Sequence, residues 1–262
     1  MKNQTSTPSQ NNGLKSFDYG LSKVPEVTFG FWVIKIIATT LGEVGGNAVS
    51  QTMELGYLIG SIIFGVPLLC AVIFQIRVKK FNPSLYWLVI TLTTLAGTTL
   101  ADFFDRSIGI GYLGGSLSLF SLVMITLFMW HRSLGSVDIE TVVTPKAEGF
   151  YWTTIMFSQT LGTALGDWMA DSTGLGYNNS AILIGAILAA LAFCYNFTKM
   201  NHTFLFWAAF ILTRPLGAVV ANSFDKPIAK GGLGVSDITM TAALTALMVV
   251  GLIFIPQRSG RH

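Results

Sequence analysis

Oxygen-bearing side chains recur at fixed positions along four apolar segments of this chain. The four reference points are tryptophans, namely Trp32, Trp87, Trp152 and Trp207. The residues 7, 11, 15 and 18 positions after each tryptophan lie on one helical face, because steps of three and four residues return to the same side of a helix. We call this face the polar stripe. Its polar members are Thr39, Glu43, Asn47, Ser50, Thr94, Thr98, Asp102, Asp105, Gln159, Thr163, Asp167, Arg214, Asn222 and Asp225.

Some members of the stripe are candidate metal ligands. They are Glu43, Asn47, Asp102, Asp167 and Asn222. Hard cations prefer carboxylate and amide oxygens, and the sequence contains no cluster of histidine and cysteine that would favour a softer metal. Helix-packing hydrogen bonds are the alternative role for these side chains.

Other stripe members, with the neighbouring Asp171, are expected to line a substrate pathway. They are Thr39, Thr94, Thr98, Asp105, Gln159, Thr163, Asp171, Arg214 and Asp225. Thr39 and Thr94 are nevertheless expected to bond their own helix backbone. For Asp105, Asp171 and Asp225, a solvated helix cap and a vestibule role are equally favoured.

Glu43 and Arg214 are expected well inside the membrane, where a lone charge costs at least about 2.5–3.5 kcal/mol. They belong to the first and fourth segments, which a closed ring would make neighbours, so we predict an ion pair between them. Separate partners, or a Glu43 that burial keeps protonated, are the alternatives. Pro215 predicts a kink or break in the same helix, and Lys35 is expected to reach towards the membrane interface.

The composition places these residues in a membrane. Hydrophobic residues make up 52% of the chain and charged residues 11%, whereas a soluble domain carries about 25% charged residues. We therefore predict an all-α polytopic membrane protein. Its eight predicted transmembrane helices cover roughly 30–51, 56–76, 84–104, 111–131, 150–170, 176–198, 203–223 and 235–255.

The predicted organisation has two membrane halves of two repeats each. Its parts are a disordered cytoplasmic tail (1–28), the first half (29–131), a cytoplasmic loop (132–148), the second half (149–256) and a short cytoplasmic tail (257–262). Each repeat is predicted to be a helical hairpin whose tryptophan lies in the interfacial belt. All four hairpins would run parallel around a pseudo-symmetry axis along the membrane normal.

Small residues follow each tryptophan at positions 10 and 14. These pairs are Gly42/Gly46, Gly97/Ala101, Gly162/Gly166 and Gly217/Ala221. Small residues four apart let helix backbones approach closely. We therefore predict that the four odd-numbered helices lie inside and the four even-numbered helices outside, with the polar stripes converging on the centre.

The charges predict an orientation. Most basic residues fall at the side of the predicted termini, so the positive-inside rule puts both termini in the cytoplasm. The opposite side carries the basic residues Arg106, Lys226 and Lys230, which are outnumbered by carboxylates. A negative potential on that face would concentrate cations.

The pattern resembles that of bacterial membrane proteins built from four tandem two-helix repeats of unknown function, each with a tryptophan. The resemblance covers about residues 29–256 and is carried by the tryptophans and the runs LGEVGGN, AGTTLAD, LGTALGD and LGAVVAN. It implies a multi-pass protein of the bacterial inner membrane and brings no known chemistry. The fourth repeat departs from the others at Arg214 and Pro215, which places strict fourfold symmetry in doubt.

The leading functional prediction is a transporter or exporter of a small cation, with a divalent metal such as Mn²⁺ as the specific guess. The alternative is a transporter or channel for a polar organic or anionic solute that Arg214 anchors. An intramembrane enzyme using Asp102 and Asp167 is less favoured because no nucleophile and base accompany them, and so is a purely structural role. No cofactor beyond a bound cation and no nucleic acid is expected. The expected partners are the lipid bilayer and the solute, with a homo-oligomer left open.

Overall fold

The structure is a computed structural model that describes residues 22–260, and within this range it contains helices and no β-strand. The eight α-helices are α1 (Phe29–Asn47), α2 (Tyr57–Arg77), α3 (Pro83–Asp102), α4 (Gly111–Leu134), α5 (Pro145–Asp167), α6 (Gly176–Phe197), α7 (His202–Asp225) and α8 (Asp237–Phe254). The chain is an all-α polytopic membrane protein. Seven of these helices are long and apolar enough to cross a membrane. The exception is α5, whose buried polar residues Glu148, Gln159 and Asp167 lower its hydropathy.

Each odd-numbered helix begins at a polar cap. The side chain of the cap residue accepts a hydrogen bond from the backbone N–H three residues later, which satisfies a group that the helix itself leaves unpaired. The four caps are Thr28, Asn82, Thr144 and Asn201. These short polar residues therefore set where the four apolar segments start.

The odd-numbered helices end differently in the fourth repeat. After α1, α3 and α5 the chain continues through one wider π-helical turn, at Ala48–Thr52, Phe103–Ser107 and Trp168–Ser172. After α7 the described chain has a short 3₁₀ turn at Ile228–Lys230 instead. Of the kink or break predicted at Pro215, the break is wrong, because α7 runs without interruption from His202 to Asp225.

Four inner helices form a closed ring. Contacts join α1 to α3, α3 to α5, α5 to α7 and α7 back to α1. The even-numbered helices lie outside this ring and expose most of their side chains, as predicted. Each outer helix packs on the inner helix that follows it in sequence: α2 on α3, α4 on α5 and α6 on α7, while α8 closes onto α1. The two helices of each predicted hairpin are therefore consecutive in the sequence, but they do not pack against each other.

The predicted close approach of the inner helices occurs at the glycine ten residues after each tryptophan. A Cβ atom added to Gly42 would collide with Thr94 of the next helix, and one on Gly162 would collide with Arg214. The same relation closes the ring, because a Cβ on Gly217 would collide with Thr39. Glycine at these positions therefore brings the polar stripes of neighbouring helices together.

Both described chain ends lie at one face of the bundle, which we call the terminal face. Pro25 and Ser259 form an isolated β-bridge there. Residues 22–25, predicted as part of the tail, are buried against the protein, whereas residues 26–28 are exposed. The remainder of the predicted tails, residues 1–21 and 261–262, lies outside the described residues. The opposite end, which carries the turns after the inner helices, is called the turn face.

Candidate functional site

The terminal end of the inner ring is filled by aromatic side chains. The residue before each reference tryptophan contacts the tryptophan of the next inner helix. The ring-centroid distances are 5.4 Å for Phe31–Trp87, 5.5 Å for Tyr86–Trp152, 6.2 Å for Tyr151–Trp207 and 5.9 Å for Phe206–Trp32. We call these eight rings the aromatic collar. Because the contacts run once around the ring, the collar closes its terminal end.

The collar corrects the predicted role of the tryptophans. Trp87, Trp152 and Trp207 are buried, so they do not lie in an interfacial belt. The neighbouring inner helix and its outer helix cover them. Hydrogen bonds add to the ring contacts, since Tyr86 and Tyr151 join through their hydroxyls at 2.6 Å. Trp87 Nε1 also donates to Gln257 Oε1 at 2.8 Å, which ties the C-terminal segment to the collar.

Glu43 and Arg214 form the predicted ion pair at the centre of the ring. Arg214 Nη2 lies 3.0 Å from Glu43 Oε2, and the two side chains are 0% and 2% exposed. The same Nη2 atom lies 2.6 Å from Thr98 Oγ1 and 2.6 Å from Thr163 Oγ1. The cluster, which we call the sealed pair, therefore draws on all four repeats. Its opposite charges balance, and its threonines help to satisfy the guanidinium in a region without bulk water.

Three further polar residues lie near the sealed pair. Thr39 and Thr94 bond carbonyls of their own helices at 2.9 and 2.7 Å, as predicted. Both also reach a carbonyl of a neighbouring inner helix, so these threonines join helices as well. Gln159 is fully buried, and neither of its amide atoms has a hydrogen-bond partner among residues 22–260. It is a polar group at mid-depth with unused hydrogen-bonding capacity.

Lys35 does not reach the interface, so that prediction is wrong. Its side chain is buried, with Nζ 3.8 Å from the centre of the Phe210 ring and 3.3 Å from Thr213 Oγ1. The side-chain nitrogen thus lies over the face of an aromatic ring. Lys35 therefore lies between the collar and the sealed pair.

Arg106 joins two buried carboxylates towards the turn face. Its Nε lies 2.8 Å from Asp102 Oδ1, and its Nη2 lies 3.0 Å from Asp167 Oδ2. Asp102 and Asp167 are each 2% exposed, whereas the Arg106 side chain is 30% exposed. Asn222 Nδ2 donates to Asp167 Oδ1 at 3.2 Å. We call this cluster of Asp102, Arg106, Asp167 and Asn222 the shared-guanidinium site, because two carboxylates hold one guanidinium.

Unpaired oxygens distinguish the shared-guanidinium site. Within the described part of the chain, Asp102 Oδ2 and Asn222 Oδ1 are buried and accept no hydrogen bond. A buried acceptor without a partner costs about 1–3 kcal/mol. With both carboxylates ionised, the site also carries one more negative charge than positive charge. Both features favour a bound cation, a proton or a hydrogen-bond donor.

A cavity of about 430 Å³, which we call the vestibule, opens at the turn face next to this site. Arg106 belongs to both, and it also lies near the rings of Tyr57 and Tyr112 at 5.8 and 5.6 Å. The charged residues lining the vestibule are Arg106, Lys226, Lys230, Asp171, Asp225 and Asp237. Basic and acidic side chains are therefore interleaved at the mouth.

Asp225 and Lys226 form an ion pair at the edge of the vestibule. Lys226 Nζ lies 3.7 Å from Asp225 Oδ2, which also accepts a hydrogen bond from Asn47 Nδ2 at 3.4 Å. Burial acts to lower the pKa of Lys226, but the neighbouring carboxylates, Asp225 first among them, outweigh burial and raise that pKa. Lys226 is therefore charged at neutral pH. Gln51 Nε2 donates to Asn47 Oδ1 at 2.7 Å.

The five candidate metal ligands are split between these clusters. Asp102, Asp167 and Asn222 meet at the shared-guanidinium site, whereas Glu43 pairs with Arg214 deeper in the ring and Asn47 joins Asp225. Among residues 22–260, no group of three or more His, Cys, Asp or Glu side chains could hold a metal ion.

The sequence comparison decides the family. Four stretches of the chain, residues 30–81, 85–136, 150–201 and 205–259, match a repeat described as the Repeat of Unknown Function (DUF347). The chain belongs to this family. No curated protein and no solved structure matches it.

The family repeat corresponds to one inner helix followed by one outer helix. The four matched stretches contain α1 with α2, α3 with α4, α5 with α6, and α7 with α8. Family membership therefore confirms the four tandem repeats. Every cluster described above uses at least two repeats, so no single repeat carries a complete site.

Proposed function

We propose that the protein transports a small cation across the membrane and binds it at the shared-guanidinium site. The observation that carries this proposal is that two buried carboxylates, Asp102 and Asp167, share one guanidinium, while oxygens of Asp102 and Asn222 beside it are unpaired. A surplus of negative charge of this kind is costly unless a ligand relieves it. Oxygen ligands suit hard cations, and a divalent metal such as Mn²⁺ would complete its shell with amide and water oxygens.

Arg106 is the movable part of the proposed mechanism. Its side chain is partly exposed and already reaches Tyr57, whose hydroxyl lies 3.3 Å from Nη1. An arriving cation would take the place of the guanidinium between the carboxylates, and Arg106 would turn into the vestibule. The resident side chain thus satisfies the two carboxylates until the substrate arrives.

The sealed pair and the aromatic collar form the barrier in this proposal. They close the path from the shared-guanidinium site to the terminal face in the conformation described here. Release on the other side requires these contacts to open, as in a carrier that alternates between two conformations. Gln159, with its unpaired amide, is the next polar group available to the substrate.

The alternative solute is an anion or polar organic molecule held by Arg214. It has less support, because Arg214 is fully buried and already pairs with Glu43. Anion binding would first have to separate that pair. We also propose transport rather than catalysis, since the two threonine hydroxyls that bond Glu43, those of Thr98 and Thr163, are buried and are also held by the guanidinium of Arg214.

We place the terminal face in the cytoplasm and the protein in a bacterial inner membrane. The described basic residues Arg77, Lys79, Lys80, Arg132, Lys146, Lys199 and Arg258 lie in segments at the terminal face. The turn face carries Arg106, Lys226 and Lys230. The positive-inside rule then directs the vestibule outward.

Flux into proteoliposomes tests the proposal. The panel contains Na⁺, K⁺, Mg²⁺, Mn²⁺ and a small organic ammonium ion. We expect flux of at least one cation, reduced by about tenfold or more in Asp102→Asn/Asp167→Asn, because the surplus charge is gone. Glu54→Gln, which removes an exposed acid from a turn, is the matched control and should keep wild-type flux. A folded double variant with wild-type flux would overturn the proposed site.

A further inference from the structure

An apolar crevice of about 540 Å³ opens on the outside of the ring between α1, α6 and α7. Its walls include Trp32 and Ile36 of α1, Leu188 and Ala192 of α6, and Ala209 of α7. All three helices are candidate membrane spans, and these residues lie in their terminal halves. The crevice therefore opens where membrane lipid surrounds the protein.

The crevice lies at a seam of the fourfold arrangement that is not filled. The position 43 residues after the reference tryptophan is Gln75, Trp130, Tyr195 and Val250 in successive repeats. Gln75 and Trp130 are 1% and 0% exposed, whereas Tyr195 and Val250 are 52% and 47% exposed. In the fourth repeat Gln257, seven residues after Val250, bonds Trp87. Tyr195 turns away and packs on the ring of His202 at 4.5 Å. Trp32 is accordingly half-buried, while the other three reference tryptophans are buried.

A polar cavity of about 470 Å³ adjoins the crevice at the terminal face. The two cavities share Val27, Tyr195 and Phe206 in their walls. The titratable residues of the polar cavity are Glu26, Asp138, Glu140, Tyr195 and His202. Among residues 22–260, its walls contain acidic side chains and no lysine or arginine, so this part of the cavity favours a positively charged group.

The backbone at the junction of the two cavities suits a phosphate group. Thr28 and Phe29 line the crevice where α1 begins, and the start of a helix carries partial positive charge. The order from the membrane outward is thus an apolar crevice, a helix N-terminus and an acidic cavity. A phospholipid with an amine in its headgroup has the same order of chain, phosphate and cation.

We propose that this seam binds one membrane phospholipid whose headgroup carries a primary amine. One acyl chain lies in the crevice against Trp32, and the ammonium group lies among Glu26, Asp138 and Glu140. The acyl chain contributes packing contacts with the crevice walls, because the chain is already in an apolar medium before it binds. The acidic cavity supplies the preference for headgroup, because an anionic headgroup would meet like charges there.

Binding of defined lipids to the delipidated full-length protein in detergent tests the proposal. Native mass spectrometry would compare phosphatidylethanolamine and phosphatidylglycerol with identical acyl chains. We expect the ethanolamine lipid to bind about tenfold more tightly to the wild type. Equal binding, or tighter binding of the anionic lipid, would overturn the proposed headgroup recognition.

Two variants separate the chain site from the headgroup site. Ala192→Trp fills the crevice and should weaken binding of the ethanolamine lipid about tenfold or more. Ala186→Trp is the matched control, because Ala186 is exposed on the same helix outside the crevice. Glu26→Gln/Glu140→Gln should abolish the headgroup preference and retain chain binding. Wild-type affinity in Ala192→Trp would place the lipid elsewhere and overturn the proposal.

Discussion

The inner ring holds two charge clusters that differ in balance. The sealed pair has one carboxylate for one guanidinium, and both are buried. The shared-guanidinium site has two carboxylates for one guanidinium, and that guanidinium is partly exposed. A buried ion pair with balanced charges can have a purely structural role. A surplus of negative charge next to a cavity is costly unless a positively charged ligand binds there. Equal burial of Glu43 and Asp102 therefore does not imply equal roles.

The largest expected effect comes from breaking the balanced cluster. Arg214→Leu leaves Glu43 buried without its partner, and we expect the free energy of unfolding to fall by about 3–5 kcal/mol. Thermal or denaturant unfolding of the purified protein measures this loss. Glu43→Leu/Arg214→Leu removes both charges and should recover most of the stability, because an apolar pair of similar volume packs without desolvation. A double variant no more stable than Arg214→Leu would show that the pair is not the source of the effect.

A smaller loss of stability is expected from a change at Gly162, where α5 and α7 approach closely beside the sealed pair. Gly162→Ala adds a Cβ that collides with Arg214, and we expect a loss of about 1–3 kcal/mol in unfolding free energy. Gly185→Ala is the matched change on α6, where an added Cβ meets nothing within 4 Å. It should leave stability unchanged or raise it by about 0.5–1 kcal/mol. If both variants behaved alike, close packing at Gly162 would not matter.

Changes in the aromatic collar should lower the free energy of unfolding by less than the changes at Arg214 and Gly162. Tyr86→Phe removes its hydroxyl bond to Tyr151, and we expect the free energy of unfolding to fall by about 0.5–1.5 kcal/mol. Tyr86→Phe/Tyr151→Phe should be less destabilising than the sum of the single changes, because both report on one bond. Additive effects in this double-mutant cycle would contradict a direct bond between the hydroxyls.

The smallest change in stability is expected at the unbalanced cluster. Asp102→Asn leaves one carboxylate for one guanidinium, so the free energy of unfolding should stay within about 1 kcal/mol of the wild type. Cation flux should nevertheless fall about tenfold or more. A stability loss as large as that of Arg214→Leu would erase the distinction between the two clusters.

Much of the inner ring could be predicted from residue spacing. The glycine ten residues after each tryptophan predicted close helix contacts, and the structure places Gly42 against Thr94 and Gly217 against Thr39. The pairing of Glu43 with Arg214 followed from closing the ring between the first and fourth repeats. These predictions succeeded because the repeats are regular, so that residues at fixed distances from each tryptophan meet those of the next inner helix.

Arg106 was missed as a partner of the two aspartates. It lies 19 residues after Trp87, outside the face counted for an α-helix. The chain there forms a π-helical turn, and the extra residue in that turn shifts the direction of the side chains that follow. The signal available in sequence was the spacing of four residues between Asp102 and Arg106, which suits an ion pair on a helix.

The packing partners of the outer helices could not be predicted in the same way. Short turns favour packing between consecutive helices, and an outer helix follows one inner helix and precedes another. The structure shows that α2 packs on α3 and not on α1, and that α8 packs on α1 and not on α7. The apolar faces of the outer helices are similar to one another, so their sequences do not specify which inner helix they cover. The burial of Lys35 was equally hidden, because its Phe210 partner comes from another repeat.

The closure of α8 onto α1 has a consequence for how the chain is made. Among the described helices α8 is made last and covers the first, so α1 stays without its cover until α8 has been made. The bridge between Pro25 and Ser259 joins the two described ends in the folded protein. A circularly permuted chain that joins these ends and opens between α2 and α3 would keep all the helix contacts. In such a chain α3 would be made first, and it would stay without its outer helix until α2 had been made at the end.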